Sequence, residues 1–341
     1  MLSDYLYTNF LRSQTLEEAY RSPHPVYHHT LARHYDGMGV WGGKYYRVCT
    51  NGHGFKSDCS DVSDFRLNYD IGFIGDSFTE AVGLTYEESF VGKFAIQRQD
   101  LKVANLGVSS YSPTIYFAKI KHLMEQGIRF DHILVFVDIS DIQDESWYFT
   151  DRNGDVLRRF NGASERNVRF TRVVNFLKQN LSLTHAAYVV LKKSLVEERQ
   201  VASSRPFDQS RSTWTNDVRS EGYGDLGVTG SIEKALAQME SLHEFLERRG
   251  VGLSVAVYPW PAQLREMELT ESADNRQVAI WKEFCHSRCT SFIDFFPEFN
   301  RHVQATSARA VYEKYYISGD VHFNEVGNSL IFDGLSGVGS F

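Results

Sequence analysis

Five short apolar runs alternate with helix-forming segments along most of this chain. The runs are Ile71-Gly72-Phe73-Ile74, Lys102 to Asn105, the ILVFV stretch within His132 to Asp138, Gly252 to Tyr258, and Ser291 to Phe295. Between them, helices are expected over about Glu87 to Arg98, Pro113 to Gln126, Ser231 to Arg249 and Asn275 to Ser287. Strands joined by helices of this length run parallel through right-handed crossovers, with both faces of the sheet covered. The expectation is an α/β chain: a flavodoxin-like three-layer α/β/α sandwich on a five-stranded parallel sheet. In such a sheet, ligands bind beyond the carboxyl ends of the strands where the strand order reverses.

The first of these runs ends in Gly75-Asp76-Ser77 and leads into a helical segment. Gly-Asp-Ser alone reads best as a turn, because glycine tolerates unusual backbone angles and Asp and Ser bond back to the backbone. Its position changes that reading. A serine at the carboxyl end of a central strand offers its hydroxyl where the following N–H groups face whatever it attacks. Near the far end, Asp320 stands two residues before His322, beyond the last expected strand of the same sheet. A carboxylate so placed sets the imidazole tautomer and stabilises its protonated form, which is what a serine needs from its base.

With those residues in view, the chain resembles the SGNH, or GDSL-type, hydrolases. The resemblance is carried by Gly75-Asp76-Ser77-Phe78-Thr79, by Asn105-Leu106-Gly107-Val108-Ser109 and by Asp320-Val321-His322, and covers about residues 68 to 145 and 250 to 335. It implies the fold named above and a catalytic set of Ser77, His322 and Asp320. It also implies an oxyanion hole from the N–H groups of Ser77 and Gly107. The family's third block, Gly-x-Asn-Asp, is replaced by Asp138-Ile139-Ser140-Asp141, which puts Ser140 in the place of the asparagine donor. The final D-x-H is one residue shorter than the usual D-x-x-H, as in the members resembling polysaccharide O-acetyltransferases and acetylesterases. Asp76, Asn105, Asp141, Tyr258 and Trp260 are candidates for the substrate wall. Trp260, between Pro259 and Pro261, reads either as a sugar-stacking ring or, slightly better, as a rigid loop anchor.

Three function classes follow. The leading one is a serine esterase acting through an acyl-enzyme on an ester, expected to be an O-acetyl group, of a carbohydrate or small molecule. The second is an O-acetyltransferase whose acyl-enzyme is resolved by a glycan hydroxyl. The third is a glycan-binding module that keeps the fold without the chemistry. None of the three calls for a metal or an organic cofactor.

Residues 1–67 form an N-terminal extension packed on the 68–341 domain, and the strand–helix pattern breaks over an insertion at about 147–225. Within the insertion, a hairpin is expected around Asn153-Gly154, a helical stretch from about Phe170 to Val196, and a polar loop from Glu198 to Gly224. In the extension, Leu16 to Tyr20 reads as briefly helical, Ser22-Pro23-His24-Pro25 as a break, and Tyr45 to Val48 as a strand after Trp41-Gly42-Gly43. His24, His28, His29 and His34 read as a polar surface loop in preference to metal ligands, lacking a Cys or carboxylate at matched spacing. The stretch Tyr316 to Gly327 reads as a final loop that delivers Asp320 and His322, and a closing helix runs from Asn324 to about Leu335.

Composition narrows the partners. With 36 Lys and Arg against 43 Asp and Glu, the formal net charge is −7, and no basic patch dominates to neutralise phosphates, so nucleic acid is not an expected partner. No apolar run approaches the length of a membrane span. The start, MLSDYLYTNFLRS, has no basic n-region followed by an apolar stretch, so the chain as written is expected in the cytoplasm. A chain relieved of a leader or anchor would read the same and belong outside the inner membrane. The four cysteines leave a Cys49–Cys59 disulfide and four free thiols both open. Cys285-His286-x-x-Cys289 lacks the second pair that a zinc site requires.

Overall fold

A computed structural model of the chain describes residues 20–158 and 206–336. The extension forms two antiparallel hairpins, β1 (Arg21–His24) with β2 (His28–Leu31), and β3 (Asp36–Trp41) with β4 (Lys44–Cys49). The core then alternates as expected. β5 (Asn68–Ile74) is followed by a one-turn helix α1 (Ser77–Glu80) and by α2 (Phe90–Gln97). Next come β6 (Val103–Asn105), α3 (Pro113–Glu125), β7 (Arg129–Val137) and a short α4 (Asp141–Glu145). A small hairpin pairs β8 (Tyr148–Thr150) with β9 (Val156–Arg158) around Asn153-Gly154, closed by residues 151–155 with Gly154 at a φ of 87°.

After the insertion, the long α5 (Gly227–Glu247) leads to β10 (Gly252–Val257), α6 (Pro261–Thr270), α7 (Arg276–Cys285) and β11 (Ser291–Asp294). The chain closes with α8 (Phe296–Ala305), α9 (Ala308–Tyr315) and α10 (Glu325–Ser336). The expected helical stretch from about Phe170 to Val196, the first part of the following loop and Leu16 to Ala19 of the expected N-terminal helix lie outside the described residues.

The five-stranded sheet has the order β11-β10-β7-β5-β6, all parallel. Numbered along the chain, that is 2-1-3-4-5, the flavodoxin-like order. Its interior positions are filled by Phe73, Ile74, Ile133, Leu134, Val135, Phe136, Val255 and Val257, all fully buried, as expected for a sheet covered on both faces. α2 packs with α10 and α3 packs with α5. The strand order reverses beside β5, so the crevice at its carboxyl end is where the fold places a ligand. No described helix is long and apolar enough to cross a membrane.

Three local expectations change. Ser22-Pro23-His24 is strand β1 and not a break, since a two-stranded hairpin has an edge on which proline removes no needed donor. Of the four histidines only His34 lies on an exposed turn, and His24 lies in β1. His28 and His29 lie in β2, and their Nδ1 atoms are 2.8 Å apart, while His29 Nε2 meets the Ser109 carbonyl at 2.8 Å. Between β11 and the final loop stand two helices that the sequence reading does not contain, α8 and α9, with Phe296, Phe299 and Val303 on one face of α8 and Val311, Tyr312 and Tyr315 on that of α9. Their 3.6-residue period is present in the sequence but diluted by the polar residues between.

Candidate active site

Glycine at two positions allows the site to assemble. A Cβ at Gly75 would lie 2.2 Å from Thr79 Oγ1, and one at Gly107 would lie 2.6 Å from both the Glu80 nitrogen and Thr79 Cβ. The turn after β5 and the loop after β6 therefore pack backbone against backbone, which only glycine permits. Asp76 caps the short helix they enclose, accepting from the Phe78 N–H at 2.9 Å. That places Ser77 at the helix start, where N–H groups lack intrahelical partners.

The chain returns 245 positions later with His322. His322 Nε2 is 2.8 Å from Ser77 Oγ, and His322 Nδ1 is 2.5 Å from Asp320 Oδ1. Asp320 Oδ1 also accepts from the Val321 and His322 N–H groups at 2.6 and 3.1 Å. Burial raises the Asp320 pKa, but the hydrogen bonds and charge of His322, with the bond from Trp41, outweigh it and hold the carboxyl below its usual range. Phe78 lies under the imidazole with ring centroids 4.7 Å apart. Ser77, His322 and Asp320 are brought together and are all at least nine-tenths buried, at 7%, 8% and 9% exposure.

Two of the three expected oxyanion donors are engaged within the protein. Ser140 gives both its N–H (2.7 Å) and its hydroxyl (2.8 Å) to Asp138 Oδ1, so neither is offered to an oxyanion. The reason is Asp138 itself, where the family pattern has glycine: its carboxylate supplies a nearby acceptor. The Gly107 N–H donates to Asn105 Oδ1 at 3.0 Å, and Asn105 Nδ2 in turn holds the Thr79 carbonyl at 2.8 Å.

The five wall candidates are all buried, and each has a hydrogen-bond partner within the protein. Trp260 is an anchor, its indole N–H on Asp138 Oδ2 at 2.8 Å. Asn105 ties the loop after β6 to α1. Tyr258 donates to Asp76 Oδ1 at 3.3 Å, and Asp141 accepts from Tyr116 at 2.9 Å. Oxygens of Asp76, Asp138 and Asp141 lie within 4.8 Å of one another. Burial and then the Asp138 charge push both Asp76 and Asp141 well above the ordinary carboxyl range.

Sequence reasoning missed three residues that reach this region. Trp41 donates its indole N–H to Asp320 Oδ2 at 2.7 Å, across 279 positions. Lys56, fully buried, gives its ammonium to the carbonyls of Glu80, Ala81 and Leu84 at 2.9, 2.9 and 2.7 Å, closing the end of α1. Arg211 of the insertion pairs with Asp144 and lies over the rings of Trp147 and Trp260. The W-G-G turn signal marks Trp41 as a hairpin tip, but nothing local to it names its partner.

The sheet order, the serine after the first sheet strand, the glycine after the second and the D-x-H beyond the last now stand together. The chain has the SGNH hydrolase fold. Among solved structures, the chain is similar to a catalytic mutant of Axe2, an acetylxylan esterase from Geobacillus stearothermophilus. That pair shares 12% identity over 78% of this chain and 91% of that one, with a TM-score of 0.41. It is also similar to a member of the lipolytic protein G-D-S-L family from Veillonella parvula DSM 2008. There the identity is 11%, the coverage 80% of this chain and 98% of that one, and the TM-score 0.38. No protein-family model matches the sequence, and no curated protein matches it.

Proposed function

We propose that the protein is a serine esterase that works through an acyl-enzyme, with an O-acetyl ester of a carbohydrate or small molecule as substrate. The observation that carries this reading is the unbroken line Ser77 Oγ, His322 Nε2, His322 Nδ1, Asp320 Oδ1, with 2.8 and 2.5 Å at its two hydrogen bonds. In it, His322 takes the Ser77 proton as Oγ bonds to the ester carbonyl carbon, and Asp320 balances the imidazolium that results. The Ser77 and Gly107 N–H groups hold the oxyanion, the latter shared with Asn105 Oδ1. Each such donor is worth about 3 kcal/mol in well-studied serine hydrolases. As the tetrahedral species collapses, the C–O bond to the alcohol breaks and His322 returns the proton to the leaving oxygen. Water, deprotonated by His322, then releases the acid and restores Ser77.

A second reading, O-acetyl transfer to a glycan hydroxyl, is favoured by the one-residue spacing between Asp320 and His322 and shares the first half-reaction. The test is turnover of p-nitrophenyl acetate by wild type, Ser77→Ala and His322→Ala, with and without polysaccharide acceptors. A loss of at least about 10³-fold in both variants, with loss of fluorophosphonate labelling, is expected. Acceleration by one acceptor, with acetyl appearing on it, would select transfer. Wild-type turnover no greater than that of Ser77→Ala, without labelling, would leave the glycan-binding reading in its place.

A further inference from the structure

Asp320 uses its two carboxylate oxygens differently. Oδ1 takes His322 Nδ1, the Val321 N–H and the His322 N–H. Oδ2 takes the indole N–H of Trp41 at 2.7 Å, and no other donor among the described residues reaches it. The terminal torsion of an Asp side chain is broad, so rotamer preference alone does not fix the plane of the carboxylate. A donor on each oxygen does.

The extension is built to deliver this donor. β3 and β4 are joined by Gly42 and Gly43, with φ of 56° and 78°, the two positive angles that a tight two-residue hairpin turn needs. Trp41 pairs with Lys44 at the tip of that hairpin. Its ring stands edge-on to the imidazole of His322, at 90° and 5.1 Å between centroids. On its other side lies Gly83, with a φ of 80°, where an added Cβ would sit 3.5 Å from Trp41 Cδ1 and 3.1 Å from Ile317 Cδ1. The indole is thus bounded by imidazole, carboxylate and backbone, and its one polar atom points at the carboxylate.

We propose that Trp41 is a positioning residue for the Asp320–His322 pair, its indole N–H locking the carboxylate plane so that Oδ1 stays on His322 Nδ1 and Nε2 stays on Ser77. The proposal rests on the acyl-transfer reading for its effect on rate, but not for its effect on the pair. Two replacements separate the N–H from the bulk of the ring. Trp41→Phe keeps part of the ring, and 3-benzothienylalanine incorporated at position 41 keeps its shape and replaces only the N–H by sulfur.

The experiment measures steady-state turnover of p-nitrophenyl acetate together with the low-field proton resonance of His322 Nδ1–H, assigned by its absence in His322→Asn. Both replacements are expected to lower kcat about tenfold with KM near that of wild type, because a misaligned base costs rate and not binding. The resonance is expected to shift in both. If the benzothienyl protein matches wild type in kcat and resonance, or loses kcat with the resonance unmoved, the proposal is overturned and Trp41 is packing only. If wild type shows no Ser77-dependent turnover while the resonance still shifts, the positioning role stands and the acyl-transfer reading is what falls.

Discussion

The Ser77 hydroxyl has one proton and two acceptors within reach, His322 Nε2 at 2.8 Å and Asp76 Oδ2 at 3.1 Å. An ionised Asp76 would draw that proton away from the base. Burial, then the charge of Asp138, raises the Asp76 pKa well above the usual carboxyl range, which favours its neutral form and weakens it as a competitor. Asp76→Asn should therefore keep p-nitrophenyl acetate turnover within about tenfold of wild type, since the amide oxygen still caps Phe78. A much larger loss would mean that Asp76 acts as an ion. The same shift sets a stability trend. Above about pH 4, where an unfolded Asp ionises, the folded chain retains a proton that the unfolded chain has lost, so wild-type stability falls as pH rises through that range. The asparagine variant lacks this slope, and its melting temperature relative to wild type should increase with pH.

A four-residue helix such as α1 cannot hold itself together in isolation. It is held by the Asp76 cap at one end and by the Lys56 ammonium on three carbonyls at the other. Glu80 pairs with Arg21 and accepts the Ser109 N–H at 2.7 Å, joining α1 to the loop after β6. That loop has its own buried cation, Lys119, donating to the Leu106 carbonyl at 2.8 Å. Burial lowers the Lys56 pKa to about 8 and that of Lys119 to about 7, against the opposing charge of Glu80. Unfolded lysine titrates near about 10.4. Between about pH 7 and 10 the unfolded chain thus holds protons that the folded chain has shed, and stability rises with pH across that window. Thermal melts should follow that rise, and Lys119→Met should flatten it. An unchanged slope in the variant would mean that Lys119 keeps its proton when folded.

The whole molecule depends on an extension that lies outside the alternating pattern. Residues 20 to 67 supply Trp41, Arg21 and Lys56 to the site, and Lys56 bridges to Asn105 on the edge strand β6, which would otherwise be open to pairing. Two disulfides are formed, Cys49–Cys59 within the extension and Cys285–Cys289 from the last residue of α7, which resolves the open pairing and uses the sulfurs a zinc site would need. The Cys49–Cys59 bridge spans a sequence separation of 10. Closing a loop of that size stabilises by about 3 kcal/mol on the chain-entropy account. Replacing both cysteines with serine should lower stability by about that amount in denaturant unfolding. An undiminished midpoint would show that the extension is held by packing alone.

Local patterns determined much of this protein. Period and length of the apolar runs foretold the parallel sheet, glycine and Asp foretold the turn that presents Ser77, and the D-x-H foretold an imidazole held by its own neighbour, because each is written within a few residues. The helices α8 and α9 carry the right period too, but their polar intervals mask it. Only the tertiary structure decided which donors are free. Whether Gly107 and Ser140 face an oxyanion or a nearer acceptor depends on where Asn105 and Asp138 come to rest. Trp41 meets Asp320 across 279 positions, and Lys56 finds three carbonyls at the end of a helix it does not belong to. A hydrogen bond forms wherever donor and acceptor come within about 3 Å. For residues far apart in the chain, that distance is set by how the whole chain packs, which no local stretch of sequence encodes.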